Sequence, residues 1–364
     1  MPRYALILLA LLSACRCDVR DEPVPAPPAD TSQPPTASEV QPDAASAALL
    51  PRQLVAIEIF GTRQITLEQL LARYEKPLRE NAFSDTLHSL RYDIQELGDF
   101  AHVELSLVGD PQPGRMDYYL TIDFVDRADA ARRMPFNPAP DGTYDDPAGL
   151  IADWLALEKK SHELLVTGQA SEGVTCPAFH CLGHEGHPEV APFIDRFVVQ
   201  VPGHVAQLAT ILRDDGDSGY RAAAAMLLAY SGDGQALVGQ LVPAVRDPSS
   251  HVRNNALRVI NDIAWNHPEI DVPLDPLLAA LDYPTTLDRN KAAWALRGLL
   301  ARPGAERLHD PIADRAGETL LAMLRLQQPN NHRPAYQILQ AISSESFAER
   351  DHAAWEGWLK SQAR

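Results

Sequence analysis

The chain has 364 residues, of which 45% are hydrophobic and 22% are charged. This composition is typical of a globular protein with room for about two or three domains. The formal net charge is −17. Nucleic-acid binding normally needs clustered lysines and arginines, so this charge argues against a nucleic-acid partner and favours a basic or neutral one.

The first residues have the order of a secretory signal. A basic residue precedes an apolar run over 4–12, and this run is too short to cross a bilayer, which takes about 20 residues. The run ends in Leu12-Ser13-Ala14-Cys15, which closely resembles the lipobox of bacterial lipoproteins. The resemblance implies that residues 1–14 are a signal peptide and that Cys15 is lipidated. Because Arg16 follows, and not a retaining aspartate, it also implies the periplasmic face of the outer membrane, with a lipid anchor as the sole membrane contact.

Residues 15–51 are rich in proline, alanine, serine, threonine and acidic residues. Such a composition cannot bury enough apolar surface to form a core, and it favours extended segments of about 3.1 Å per residue. We therefore predict a disordered tether between the anchor and the folded part.

Residues 52–127 have the pattern of a small α+β domain. Thr66 is the expected N-cap of its first helix, with Gln69 at the capping-box position. The predicted order is β-α-α-β-β, with strand 54–60, a helix from Thr66, a helix from Ser84 to Leu97, and strands 101–108 and 116–125.

That order, together with four short matches, resembles a POTRA domain. The matching positions are Gly61, Leu97-Gly98, Phe100 and Val103. The resemblance implies a domain that binds polypeptides, often by accepting an extended strand at a sheet edge. A structural spacer between anchor and array is the alternative.

The next stretch divides into a linker and a helical lead-in. Residues 128–149 are loose and rich in turn-forming residues, which predicts an interdomain linker. Residues 150–200 begin with an apolar helix over 151–166 and continue into a loop that contains cysteines and histidines.

That loop holds Cys176, His180, Cys181, His184 and His187. In an oxidising compartment cysteines usually pair, so a structural disulfide between the two cysteines is the favoured interpretation. Zinc binding through the thiolates and imidazoles is an alternative, although the spacing matches no common zinc module, and free or redox-active thiols are another. We therefore expect no metal or other cofactor.

Residues 201–364 are predicted to be helical throughout and to repeat. Three helices carry an arginine followed three residues later by alanine, at Arg221, Arg253 and Arg289, and each is preceded by another helix. The pattern Asp247-Pro-x-x-x-Val-Arg253-x-x-Ala256 resembles HEAT repeats, whose period is ~40 residues. A fourth unit at Arg333 is degenerate, and a final helix with Trp355, Trp358 and Leu359 is predicted to cap the array. The fold class is therefore an α+β domain followed by an all-α, HEAT-type helical solenoid.

Apolar residues of the repeats are expected to form the core, which leaves the polar edge for binding. The candidate protein-binding residues are Asn255, Arg258, Asp262, Trp294 and Arg297. No nucleophile elbow, phosphate loop or acid–base pair is present in the sequence. We therefore expect a non-catalytic scaffold that binds unidentified envelope proteins. A metal- or thiol-dependent activity at the Cys/His loop and a purely structural envelope component are the alternatives.

Overall fold

The computed structural model describes residues 51–167, 169 and 176–362. The predicted signal peptide, the predicted lipidation site Cys15 and the predicted tether as far as residue 50 lie outside these residues. The first domain has the predicted order, with β1 at Arg52–Phe60, α1 at Leu67–Asn81, α2 at Leu90–Gln95, β2 at Phe100–Gln112 and β3 at Arg115–Asp126.

The two helices of this domain differ in how well the sequence predicts them. Helix α1 starts at the expected capping box, in which the Gln69 N–H donates to Thr66 Oγ1 (3.2 Å) and the Thr66 N–H donates to Gln69 Oε1 (2.8 Å). The second predicted helix is shorter and begins with a 3₁₀ turn. Its expected first residue, Ser84, instead donates from Oγ to the Asn81 carbonyl, and such local bonds compete with helix formation.

The three strands form one mixed sheet in the order β1-β3-β2. Strand β1 is parallel to β3, and β2 is antiparallel to it. Successive residues of a strand point to opposite faces. Ile57 and Ile122 pack into a core with α1 and α2, whereas Phe60 packs into the core of the helical region. Both faces of the sheet are therefore covered.

In the part of the chain that the structure describes, the helical region consists of a lead-in helix, four helical pairs and a final helix. The lead-in helix α4 is Leu150–Val166, and a short helix α3, Ala130–Arg133, precedes it. The first helices of the pairs are α5, Ala191–Asp214; α7, Gly234–Ala244; α9, Leu274–Ala280; and α11, His309–Arg325. The second helices are α6, Ser218–Leu227; α8, Ser250–Asn266; α10, Thr286–Leu300; and α12, Pro329–Ser343. The final helix α13 is His352–Gln362.

The second helices of the pairs form one continuous layer. Helix α6 packs on α8, α8 on α10, and α10 on α12. Small residues permit this close approach: Ala256 and Ala292 are completely buried, and a Cβ on Gly298 would lie 2.9 Å from the main-chain carbon of Ala264. The apolar residues of all four pairs therefore belong to one hydrophobic core.

The predicted linker, 128–149, is ordered and lies along the helical array. The Asn137 N–H donates to the Arg246 carbonyl (2.7 Å), just before α8. Further along, the Gly142 N–H donates to the Asp214 carbonyl (3.0 Å), and the Gly216 N–H donates to the Gly142 carbonyl (2.7 Å). The linker thus connects the loops that precede the second helices and is a strap across them.

The array ends in a covering helix, as the sequence predicts. Trp355 of α13 is completely buried, and a Cβ on Gly317 of α11 would lie 2.4 Å from a methyl group of Leu359. Among the residues that the structure describes, no helix is both long enough and apolar enough to cross a membrane.

Candidate interaction site

The anchor arginines of the repeats join neighbouring pairs through buried ion pairs. Arg221 donates to both carboxylate oxygens of Asp247, each at 2.8 Å, and Arg253 donates to Asp288 Oδ2 at 2.7 Å. All four side chains are almost completely buried. Burial raises the pKa of Asp288, although the neighbouring guanidinium of Arg253 opposes this shift. The ion pairs therefore fix the spacing of the repeats.

The third anchor arginine, Arg289, instead joins the array to the sheet. One of its nitrogens lies 2.6 Å from Asp123 on β3, and both side chains have no exposed surface. Its Nε donates to Asn331 Oδ1 (3.0 Å), and its guanidinium carbon lies 4.0 Å from the centre of the Phe60 ring. Thr286 donates to the same carboxylate of Asp123 at 3.3 Å. The α+β domain is thus docked on the third repeat through a buried charge.

A second carboxylate on the same face of the sheet reaches the fourth repeat. Glu58 on β1 accepts the Thr121 hydroxyl (3.0 Å) and the Gln327 N–H (2.7 Å), which lies just before α12. An anion at a helix N-terminus is stabilised by the helix dipole. Burial nevertheless raises the pKa of Glu58, and the hydrogen bonds from Gln327 and Thr121 oppose that shift.

Beside this docked face lies a cleft of about 960 Å³. One wall is formed by the end of β1, the following loop and α3, and it contains Arg63, Arg132 and Arg133. The other wall is formed by α11 and the end of α13. The α11 wall carries Asp310, Asp314, Arg315, Glu318, Thr319, Ala322 and Arg325.

Arg133 lies at the junction between the cleft and the docked face. It is only 1% exposed, and it donates to the carbonyls of Asp282 (Nε, 3.0 Å), Gly61 (Nη1, 2.9 Å) and Phe124. Its Nη2 is buried and has no hydrogen-bond partner within the described part of the chain. Burial and the nearby charge of Arg289 lower the pKa of Arg133 to about 10. Arg133 therefore presents an unused donor at a site that lines the cleft.

The five candidate binding residues do not form one open edge. Asn255 is 4% exposed and donates to the Ala222 carbonyl, and Arg258 is 6% exposed, with Asn254 accepting from its Nη2. Asp262 is hydrogen-bonded to a histidine, while Trp294 and Arg297 are half-buried. The expectation that Asn255 and Arg258 lie on an accessible surface is therefore corrected, because the closely packed second helices cover them. The binding role of all five residues stays a prediction.

The Cys/His loop is held by a disulfide and by the array. Cys176 and Cys181 are joined, with their sulfurs 2.06 Å apart. His180 is 3% exposed, and its Nδ1 lies 2.6 Å from Asp262 Oδ2. The Phe179 N–H donates to the Ala229 carbonyl (3.0 Å). The loop thus lies against the 3₁₀ turn that follows α6 and against the C-terminal part of α8.

The proposed zinc ligands do not converge in the described part of the loop. Both thiols are used by the disulfide, and His180 is paired with Asp262. Within residues 51–167, 169 and 176–362, no three His, Cys, Asp or Glu side chains are grouped so that they could hold a metal ion. His184 and His187 therefore have no thiolate available to share a metal with.

The residues of the cleft were not among those predicted from the sequence. Asp310, Asp314 and Glu318 recur every four residues on one helix, and this spacing was a visible signal for a charged face of α11. Arg133 gave no such signal, because its neighbours are close only after the domain has docked.

Comparison with protein families finds that residues 205–297 match HEAT repeats. A comparison with curated proteins and with solved structures found no match to this chain. The matched segment covers the end of α5 and the helices α6 to α10, where the buried arginine pairs occur. The helical region of this chain therefore contains HEAT repeats, which are typical of protein-interaction scaffolds.

Proposed function

We propose that the protein is a non-catalytic, lipid-anchored scaffold on the periplasmic face of the outer membrane that binds envelope proteins. The observation that carries the binding part is the stack of HEAT repeats, whose residues 205–297 match that family. Repeat arrays build extended surfaces from stacked helices, and they bind polypeptides through those surfaces. The anchor rests on the lipobox-like Leu12-Ser13-Ala14-Cys15.

The docked α+β domain supports the same function. Arg289, Asp123 and Glu58 attach its sheet to the array, so the surfaces of both parts are held in a fixed relation. The sheet order leaves β1 and β2 at its two edges. If the domain is of the POTRA type, as its element order and Gly61 favour, one of these edges is a second place at which a polypeptide strand is added.

The anchor is tested by metabolic labelling with an alkyne fatty acid and by membrane fractionation. We expect the wild type to carry the label and to fractionate with the outer membrane, and a Cys15→Ala variant to lose both properties. A wild type without label would overturn the anchor.

Binding is tested by isolating the full chain from envelope extracts after mild crosslinking. We expect a discrete partner that is recovered in fixed proportion and is lost when residues 201–342 are removed. As control, a variant with three neutralised carboxylates outside the cleft, Asp85→Asn with Glu306→Gln and Glu345→Gln, retains the partner. No discrete partner, or equal recovery by the truncated chain, would contradict a scaffold that acts through its repeats.

A further inference from the structure

The wall of the cleft on α11 presents a row of carboxylates. Asp310, Asp314 and Glu318 are exposed, line the cleft and follow one another at four-residue intervals. Within the described residues none of them takes part in an ion pair or a side-chain hydrogen bond. Their charges are therefore available to a ligand.

Of the six cations that line the cleft, four form ion pairs within the described residues, whereas Arg63 and Lys360 do not. Arg132 contacts Asp129 and Asp282, and Arg315 lies 2.6 Å from Asp275. Arg325 lies 2.5 Å from Glu356, a residue that does not line the cleft. These arginines consequently do little to neutralise the row on α11.

The opposite wall offers hydrogen-bond donors. Arg133 lines this wall with a side chain that is only 2% exposed, and its buried Nη2 has no acceptor within the described residues. Arg63, which is exposed, lines the same wall. A buried guanidinium nitrogen without an acceptor is costly, because desolvation is not repaid by a hydrogen bond. The acceptor that fits this wall is a carbonyl oxygen.

The spacing of the carboxylates matches an extended polypeptide. Four residues of α-helix rise about 6 Å, at 1.5 Å per residue. Two residues of an extended chain advance about 6.6 Å, and every second side chain points to the same side. Basic side chains at alternate positions would therefore meet Asp310, Asp314 and Glu318 in turn. The carbonyl groups of an extended segment project at about right angles to its side chains, and one of them would supply the acceptor that Arg133 lacks.

We propose that this cleft binds an extended segment of a partner protein with lysine or arginine at alternate positions. The segment lies between α11 and the loop after β1, its basic side chains pair with the three carboxylates, and a main-chain carbonyl accepts from Arg133. The net charge of −17 also favours a basic partner, because opposite charges attract the two proteins to each other. This proposal deepens the proposed scaffold function and rests on it. The cleft exists because the α+β domain is docked.

The test uses the full chain and fluorescent nine-residue peptides, with binding followed by anisotropy. The first peptide has three lysines at alternate positions among threonines and serines. The second has the same composition with its three lysines adjacent, and the third has glutamates in place of lysines. We expect the first peptide to bind most tightly, with an affinity that falls as salt is added. Equal binding of the first two peptides would refute the spacing argument.

A triple variant, Asp310→Asn with Asp314→Asn and Glu318→Gln, removes the carboxylates and retains their shape. We expect about a tenfold weaker affinity for the alternating peptide, the size expected of three partly exposed ion pairs. The matched control removes three exposed carboxylates elsewhere, by Asp85→Asn with Glu306→Gln and Glu345→Gln, and should bind within about twofold of the wild type. Equal losses in both variants would show attraction to net charge alone and would overturn the site.

Failure of the cleft proposal can be distinguished from failure of the scaffold proposal. If the triple variant still recovers the wild-type partner from envelope extracts and binds the alternating peptide normally, the cleft proposal fails while the scaffold stands. If the wild type recovers no partner, the scaffold fails whatever the peptides do.

Discussion

Replacing Arg289 by methionine should detach the α+β domain from the array and destabilise the chain strongly. Arg289 is completely buried and bonds to Asp123, Asn331 and the Tyr283 carbonyl. Its removal leaves the equally buried carboxylate of Asp123 without a cation, and breaking such a pair costs about 3–5 kcal/mol. The free energy of unfolding is measured in urea by far-UV circular dichroism and by tryptophan fluorescence.

The two probes report on different parts. All five tryptophans lie beyond residue 150, whereas the sheet holds none, so the dichroism and fluorescence transitions separate if the domain detaches first. In the double variant with Asp123→Asn the loss should be smaller than the sum of the single losses, with a coupling of about 1–3 kcal/mol.

The control for this prediction is Arg315→Met, which breaks an exposed pair. The side chains of Arg315 and Asp275 are 50% and 78% exposed, and exposed pairs contribute about 0–1 kcal/mol. If Arg289→Met costs no more than this control and the two transitions stay coincident, the buried pair does not dock the domain.

Three further changes test other parts of the structure. Gly142→Val would place a Cβ 2.5 Å from the Asp214 carbonyl oxygen and should detach the strap from the array. We expect the free energy of unfolding to fall by about 1–3 kcal/mol and amide exchange in the strap to become faster. Unchanged amide exchange would refute the role of the strap. Burial raises the pKa of Glu58 above 4.5, so protonated Glu58 stabilises the fold and this contribution is lost as the pH rises through the raised pKa. The melting temperature of Glu58→Gln should therefore rise relative to that of the wild type between about pH 4 and about pH 7. A difference in melting temperature that stays constant over this range would contradict the prediction. Replacing Cys176 and Cys181 by serine should cost about 2 kcal/mol, the expected size for a short loop, and make the melting temperature insensitive to reductant, whereas a melting temperature that still falls in reductant would contradict it.

The parts of the fold that depend on residues close together in the sequence were predicted correctly. The capping box at Thr66 and Gln69, the alternation in the strands and the Arg-x-x-Ala pattern at Arg253 are local, so periodicity and turn chemistry were enough. The second helix was predicted too long, because hydrogen bonds of Ser84 and Thr86 to Asn81 hold a turn there.

The docked face and the cleft were not predictable in this way. Glu58 and Asp123 alternate with apolar residues along their strands, and this pattern indicates a solvent-exposed face. They are buried because Arg289 and the start of α12 come from a distant part of the chain. Likewise Arg258 on the polar side of α8 is covered by its neighbours, which amphipathicity in a single helix cannot indicate.

The most direct test of the central claim is site-specific photocrosslinking in the cells that produce the protein. Benzoylphenylalanine is placed at Thr319, which lines the cleft, and in a control chain at Tyr92, which is 62% exposed and lies outside the lining. A discrete adduct with a second protein is expected at position 319. This adduct should disappear when Asp310, Asp314 and Glu318 are neutralised. The absence of any adduct at position 319 in the otherwise wild-type chain would contradict a scaffold that receives its partner in the cleft.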